Sequence, residues 1–123
     1  MAVFKGAPTA DVFRGNAAAD NASGNSGDDL LIGGAANDRL YGGLGNDRLR
    51  GGQDDDLLRG GSGNDDLAGD SGDDSLLGEN GDDVLRGGLG DDRLRGGFLP
   101  EQHRQRSGQQ SNEYSTNLRA AAA

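Results

Sequence analysis

The sequence predicts an all-β fold in which short units of equal length stack on one another. From Gly24 to Arg95 a nine-residue unit repeats eight times without an insertion or a deletion. In each unit glycine is first, aspartate is sixth and leucine is eighth. A strict period of this kind is typical of solenoids, in which one place has the same environment in every unit. The function of the chain therefore depends on what a ladder of aspartates beside a ladder of leucines can do.

Each unit is predicted to divide into a turn and a short strand. The last three residues alternate polar, apolar and polar, as in Arg48-Leu49-Arg50, which indicates a strand with one inward side chain. The first six residues then form the turn. Glycines at the first, second and fourth places are expected to give the backbone of this turn access to positive φ.

The period continues upstream in weakened form. Units beginning at Gly6 and Gly15 keep the aspartate at the sixth place but lack the internal glycine. Residues 1–23 are therefore interpreted as degenerate repeats that form an N-terminal cap, and residues 24–97 as the repeat domain. Residues 98–123 show no repeat and are mostly polar, so we expect a disordered tail.

The composition excludes several classes of protein. Asp and Glu total 21 against 12 Lys and Arg, a formal charge of -9, and cysteine is absent. An acidic chain without a basic patch is not expected to bind nucleic acid or anionic membrane surfaces. No apolar run approaches the roughly 20 residues that span a bilayer, and residues 1–5 do not resemble the hydrophobic part of a Sec-type signal peptide. We therefore predict neither a nucleic-acid partner nor membrane insertion.

The aspartates indicate a cation. One buried leucine per unit offsets little of the backbone entropy lost when nine residues become ordered, and stacked carboxylates repel one another. A hard divalent cation prefers oxygen ligands, and calcium accepts six to eight of them in flexible geometry. Two aspartates with several backbone carbonyls would make such an all-oxygen cage. The spacing does not fit an EF-hand, because no acidic residue stands at the twelfth place of a suitable loop.

The unit Gly42-Gly43-Leu44-Gly45-Asn46-Asp47-Arg48-Leu49-Arg50 resembles the glycine-rich nonapeptide of the RTX (hemolysin-type) calcium-binding repeats. The units at 60–68 and 87–95 fit the pattern equally well. The resemblance implies a right-handed parallel β-roll in which two units make one turn and several calcium ions lie between stacked turns.

The resemblance also implies which residues bind calcium. The carboxylate ligands would be the sixth-place aspartates Asp29, Asp38, Asp47, Asp56, Asp65, Asp74, Asp83 and Asp92. The backbone carbonyl ligands would come from second-place and fourth-place residues that include Gly43, Gly45, Gly61, Gly63, Gly88 and Gly90.

Some units depart from this pattern. Ala36 and Asp54 stand at fourth places, where positive φ carries a steric penalty, and we expect the site that Ala36 contributes to be the weaker. At the second place Asn25, Asp70 and Glu79 replace glycine, which should leave carbonyl ligation intact because it needs only backbone.

Other side chains are expected at the surface. The fifth-place acids should point to solvent or to the outer coordination shell; they are Asp28, Asp55, Asp73, Asp82 and Asp91. The arginines of the seventh and ninth places should line the outer strand faces; they are Arg39, Arg48, Arg50, Arg59, Arg86, Arg93 and Arg95.

The predicted function is calcium binding by a secretion and stability module of a secreted bacterial protein, which folds outside the cell and uses the type I secretion apparatus. We do not expect an enzyme, since Ser71 occupies a variable place and its only conceivable base, His103, lies in the tail.

Two alternatives remain open. The chain could be a non-catalytic fragment of a secreted RTX protease, lipase or epimerase. It could also be an adhesin-like module that binds an extracellular surface or polysaccharide through its outward residues, which include Leu30, Ile32, Leu57, Leu77 and Val84.

Overall fold

The computed structural model describes residues 2–97 and the backbone of residues 113–115. Every regular element in these ranges is a β-strand, which confirms the all-β prediction. The strands are β1 Val3–Lys5, β2 Val12–Arg14, β3 Asn21–Ser23, β4 Leu30–Gly34, β5 Arg39–Leu44, β6 Arg48–Gly52, β7 Leu57–Ser62, β8 Asp66–Asp70, β9 Ser75–Asn80, β10 Val84–Arg86, β11 Arg93–Arg95 and β12 Glu113–Ser115.

Consecutive strands alternate between two sheets. The first sheet has the order β1-β3-β5-β7-β9-β11 and the second the order β12-β10-β8-β6-β4-β2. Neighbours from β1 to β11 are parallel, with Leu31 opposite Leu49 and Leu40 opposite Leu58. Each residue therefore pairs with the residue 18 places further on, so that two units make one turn of a parallel β-roll.

The eighth-place side chains form the core between the two sheets. All the eighth-place leucines from Leu31 to Leu85 have no exposed surface, and Leu94 at the last strand has 4%. Phe13 and Ala22 continue this column through the two upstream units. The ring of Phe4 stacks on that of Phe13 with 5.1 Å between centroids and covers the N-terminal end of the core. The predicted leucine core is confirmed.

The central strands are longer than the three residues that the sequence predicts. Strands β4 to β9 have five or six residues and continue into the first two or three places of the next unit. These places pair in register with the turn above, as Gly34 does with Gly52 and Gly43 with Gly61. The prediction of a six-residue turn is therefore wrong in the central units, because interstrand pairing continues through positions that look like turn residues.

The two ends of the roll differ. The upstream units continue the same sheets, with Phe4 opposite Ala22 and Phe13 opposite Leu31. At the other end β12 pairs antiparallel with β10, so that the second sheet has one more strand than the repeats supply. Strand β12 lies within the segment predicted to be disordered, and the rest of that tail lies outside the described residues. None of the described elements is a helix that could cross a membrane.

The outer faces carry the predicted arginines. Three of them form ion pairs with acids of a neighbouring strand: Arg50 with Asp70 at 3.1 Å, Arg59 with Glu79 at 2.6 Å and Arg86 with Asp66 at 3.1 Å. Arg59 also lies over the ring of Tyr41, 5.7 Å from its centroid. These groups are half-exposed, so the pairs are worth little individually.

Candidate metal centre

The sixth-place aspartates lie inside the roll. Those from Asp20 to Asp92 have at most 5% of their surface exposed, and Asp83 has none. Because the sixth place is two residues before the leucine, both side chains point to the same side of an extended chain. The roll therefore encloses two columns of carboxylates, one on each side of its leucine core: one runs from Asp29 to Asp83 and the other from Asp20 to Asp92. Carboxylates are almost never buried to this degree unless a partner compensates them.

One oxygen of each aspartate helps to bind successive turns together. The Asp29 N–H donates to Asp47 Oδ1 at 2.8 Å, and the Asp47 N–H donates to Asp65 Oδ1 at 2.8 Å. The same bond recurs along both sides of the roll, from Asp11 and Asp29 at one end to Asp74 and Asp92 at the other. This ladder holds the carboxylates at the spacing of the turns.

The second oxygen, Oδ2, has no hydrogen-bond partner through the middle of the ladder, although it is fully buried. This is true of Asp29, Asp38, Asp47, Asp56, Asp65 and Asp74. An uncompensated buried carboxylate oxygen is costly, and such atoms in a native fold indicate a missing ion or water. A cation that accepts Oδ2 as a ligand would remove the cost at every turn.

Burial raises the pKa of these aspartates. Desolvation is the largest cause, hydrogen bonds from the backbone N–H of the preceding turn oppose it, and the charges of neighbouring aspartates add to it. The pKa rises to about 6 for Asp47, to about 7 for Asp56 and Asp65, and to about 8 for Asp74. The pKa values of Asp29 and Asp38 are also raised. A column of ionised carboxylates is thus unfavourable unless positive charge enters it.

The first-place glycines are required for space, which corrects the expectation that they adopt positive φ. The residues with positive φ include none of the first-place glycines. A Cβ built on Gly42 or Gly60 would instead overlap Oδ2 of the aspartate in the same unit, Asp47 or Asp65. The first-place glycine therefore leaves room for the carboxylate.

The second and fourth places adopt positive φ from Asn25 onward, as in Gly61 with φ of 98° and Gly63 with φ of 111°. The expected departures are confirmed, since Ala36 has φ of 71° and Asp54 has φ of 75°. This conformation is unfavourable for residues with a Cβ, and less so for aspartate, whose short polar side chain can hydrogen-bond locally, than for alanine.

The second-place residues Asn25, Asp70 and Glu79 also have positive φ, between 71° and 76°. Their carbonyls were predicted from the repeat pattern, but their backbone strain was not. Asp70 and Glu79 each pair with a ninth-place arginine 20 residues earlier, Arg50 and Arg59. The spacing of 20 residues can be read from the sequence. It indicates an ion pair only once one turn is known to contain 18 residues, because the two side chains then lie on neighbouring strands.

The predicted carbonyl ligands are brought together in pairs. Gly43 lies directly opposite Gly61 on the next turn. A Cβ on Gly63 would overlap the carbonyl oxygen of Gly45, and a Cβ on Gly90 that of Gly72. Second-place carbonyls of other units accept backbone N–H bonds, as Asn25 does from Leu44 at 2.7 Å. A carbonyl oxygen has a second lone pair, so such a bond is compatible with ligation of a cation.

The donor set fits calcium better than a metal held by side chains alone. Among residues 2–97 no three acidic or histidine side chains converge on one point. What the roll offers is one buried carboxylate oxygen per unit and stacked carbonyl oxygens, all of them hard ligands. Gly88, Asp83 and Asp92 occupy the same places at the C-terminal end, and the assignment of all these residues as ligands remains a prediction.

The fifth-place side chains hydrogen-bond successive turns to one another, a structural role that the repeat pattern does not predict. The N–H of Asn46 donates to Asp28 Oδ1 at 2.8 Å, and the N–H of Asp73 donates to Asp55 Oδ1 at 2.7 Å. The N–H of Asn64 makes the same bond to the amide oxygen of Asn46 at 2.8 Å. The exposure of Asp28, Asp55 and Asp73 agrees with the expectation that they face solvent. Either an acid or an amide can make this bond, so no charge is needed at this place.

A family comparison tests the calcium interpretation independently of this geometry. The profile of the RTX calcium-binding nonapeptide repeat (4 copies) matches overlapping segments at 6–40, 14–49, 32–67, 41–76 and 68–98. Together these segments cover about three quarters of the chain. The chain belongs to the RTX calcium-binding repeat family. Neither a search of curated proteins nor a search of solved structures gave a match.

Membership of the RTX family makes the repeat region a calcium-binding module. The repeat match begins at residue 6 and so includes the two upstream units that lack internal glycine. In every unit from Gly24 to Asp92, a Cβ on the first-place glycine would overlap Oδ2 of the aspartate in the same unit. The first-place glycine and the sixth-place aspartate of the RTX pattern therefore occur together for a steric reason.

Proposed function

We propose that this chain is a calcium-dependent folding module of a secreted bacterial protein, with a structural and not an enzymatic role. The observation that supports the proposal most directly is the set of buried Oδ2 atoms without hydrogen-bond partners from Asp29 to Asp74. RTX repeats are typical of secreted bacterial proteins, which agrees with the proposed location.

The mechanism follows from charge. Without calcium the carboxylates of each column repel one another, and one leucine per unit does not hold the roll together. The chain then stays unfolded and can be threaded through a secretion channel such as the type I apparatus. Outside the cell, calcium sites with a Kd of about 10⁻⁴–10⁻³ M fill and stabilise the fold by mass action. Because each turn contacts only its neighbours, filling is cooperative along the roll.

A calcium titration followed by circular dichroism tests this proposal. At about pH 8, where the buried aspartates lose their protons, we expect a coil signal in chelator and a cooperative gain of β signal as calcium rises to millimolar concentration. Magnesium at the same ionic strength is the control, since it demands a smaller and more regular cage than calcium. A β signal that is already complete in chelator would refute the switch.

The ligand assignment is tested by paired substitutions. Asp65→Asn or Asp47→Asn removes a buried charge that calcium needs, and we expect the calcium midpoint to rise about threefold or more. Asp28→Asn is the matched control, because Asn46 already makes the corresponding bond with an amide. The midpoint of Asp28→Asn should stay close to that of the unchanged chain. Equal effects at Asp28 and Asp65 would show that the assignment by position is wrong.

A second candidate function is adhesion through the outer face of the second sheet. A shallow groove of about 480 Å³ lies there, and its lining includes Leu30, Ile32, Ala68, Arg48, Arg50, Arg86, Asp66 and Asp70. Because Asp70 and Asp66 pair with Arg50 and Arg86, the groove offers apolar contacts and hydrogen-bonding groups of both charges, which suits a polysaccharide or another extracellular surface. A pull-down on an immobilised polysaccharide in the presence of calcium, repeated with Ile32→Glu, tests this candidate. Adhesion predicts binding that the substitution abolishes, whereas a purely structural role predicts no binding by either chain. A longer reading frame would reveal whether the module serves a protease, lipase or epimerase.

A further inference from the structure

The aspartate ladder has two classes of member, although all ten aspartates occupy the same place in the repeat. In the upstream units, Asp11 Oδ2 accepts the N–H of Ala7 at 2.7 Å and Asp20 Oδ2 accepts the N–H of Asn16 at 3.1 Å. From Asp29 to Asp74 the corresponding Oδ2 atoms are buried without a hydrogen-bond partner. The difference lies in the atom that would bind a cation.

The backbone of the loop causes this difference. No residue between 2 and 24 has positive φ, whereas both the second and the fourth place have it from Asn25 onward. The second-place N–H of Ala7 or Asn16 is thereby directed at the aspartate four residues later, and a hydrogen bond within the unit replaces the need for a cation. The Asn16 side chain stabilises this loop further by accepting the N–H of Ala18 at 2.8 Å.

The upstream units nevertheless donate backbone hydrogen bonds to the aspartates of the next turn, as the later units do. The N–H of Asp11 donates to Asp29 Oδ1 at 2.8 Å, and the N–H of Asp20 donates to Asp38 Oδ1 at 2.7 Å. Both oxygens of Asp20 are hydrogen-bonded, since its Oδ1 accepts the N–H of Ala2 at 2.7 Å. The cap can therefore orient the first two carboxylates of the calcium-dependent region without holding an ion itself.

We propose that Asp11 and Asp20 are not calcium ligands and that residues 2–23 form a metal-independent cap, so that the series of calcium sites begins at Asp29. This inference rests on the proposed calcium-binding function and specifies where along the chain that function starts. It gives a structural reason why Asp11 and Asp20 are absent from the eight predicted carboxylate ligands, although the family match extends over both upstream units.

Calorimetric titration with calcium chloride tests the cap by comparing the number of ions bound to the full chain and its variants. Asp11→Asn can keep its bond from Ala7 through the amide oxygen, so it should bind as many ions as the unchanged chain, with a midpoint changed by less than about twofold. Asp65→Asn, the matched variant in the calcium-dependent region, should bind fewer ions.

A gain-of-function variant provides a second measurement. Asn16→Gly combined with Ala18→Gly gives the second unit the glycine pattern of the later units, which should release Asp20 Oδ2 from its backbone donor. We expect this variant to bind more calcium than the unchanged chain. A control with glycine at the variable third place, Ala17→Gly, should not.

The outcomes separate the cap from the function on which it rests. If the unchanged chain binds no calcium, both proposals fail. If it binds calcium but Asp11→Asn loses ions as Asp65→Asn does, calcium binding stands and the metal-independent cap is refuted. Unchanged stoichiometry in Asp11→Asn, with a gain in the double glycine variant, supports the cap.

Discussion

Glycine performs two different tasks in the repeat, and they are distinguished only by what surrounds each residue. At the second and fourth places it permits positive φ, as at Gly61 and Gly63. At the first place, as at Gly60, it leaves room for the carboxylate of Asp65. A substitution at the first place would therefore displace the aspartate carboxylate directly, whereas one at the fourth place strains the backbone. Ala36 shows that this strain is tolerated at least once.

Ala36→Gly should stabilise the roll by about 1 kcal/mol, because it removes the penalty of a Cβ at φ of 71°. The bond from the N–H of residue 36 to Asp54 Oδ2 is kept, since it involves only backbone on that side. Ala35→Gly is the control: its φ is not positive, so added flexibility should cost about 0.5–1 kcal/mol. Thermal unfolding in saturating calcium measures both, and shifts in the same direction would contradict the strain argument.

At the scale of the strand, each element contributes one core side chain and presents its neighbours to the outside. In β7 Leu58 has no exposed surface, while Leu57 and Arg59 face outward. The core side chains of the two sheets form one buried cluster, to which each turn contributes two residues. A defect in one strand therefore affects both neighbours, and no second layer compensates for it.

Leu58→Ala should cost about 2–5 kcal/mol, because it opens a cavity in the buried cluster of core leucines. Leu57→Ala, one residue earlier in the same strand, should cost less than about 1 kcal/mol, since its side chain is on the outer face. Urea unfolding in saturating calcium gives both free energies. Similar costs at the two positions would mean that the inward and outward assignment is wrong.

At the scale of the molecule, the distribution of charge is expected to make the stability of the fold depend on pH and on calcium. The chain carries a formal charge of -9 and buries columns of carboxylates whose pKa values are raised. In the unfolded chain these groups titrate near 3.8. The calcium-free fold therefore holds more protons than the unfolded chain between about pH 4 and pH 8. If the aspartates are the calcium ligands, protons and calcium compete for the same oxygens.

Raised pKa values give the calcium-free roll its greatest stability near pH 4, and this contribution is lost as pH rises through the values of about 6 to 8. Circular dichroism in chelator should show β signal falling from pH 4 to pH 8. With calcium the midpoint should instead rise as pH falls, because protons displace the ion. Asp65→Asn should weaken the pH dependence more than Asp28→Asn does. A calcium-free signal that does not change with pH would contradict the assigned pKa shifts.

Much of this architecture could be predicted from the period alone. A phase of nine residues places Leu49 and Leu58 in equivalent environments, so the stacked sheets, the leucine core and the family could all be inferred from the repeat. The strained fourth places at Ala36 and Asp54 could be predicted too, because they interrupt a pattern of glycines.

Only the tertiary structure decided which aspartate oxygens accept a hydrogen bond. Whether an aspartate oxygen finds a donor depends on the conformation of its own loop and on the N–H that lies 18 residues away. Asp20 and Asp38 occupy the same place in the sequence pattern, yet Oδ2 is hydrogen-bonded in one and buried without a hydrogen bond in the other. The repeat places a carboxylate at the same position of every unit, and the backbone conformation of each loop determines which Oδ2 atoms are left without a hydrogen-bond donor.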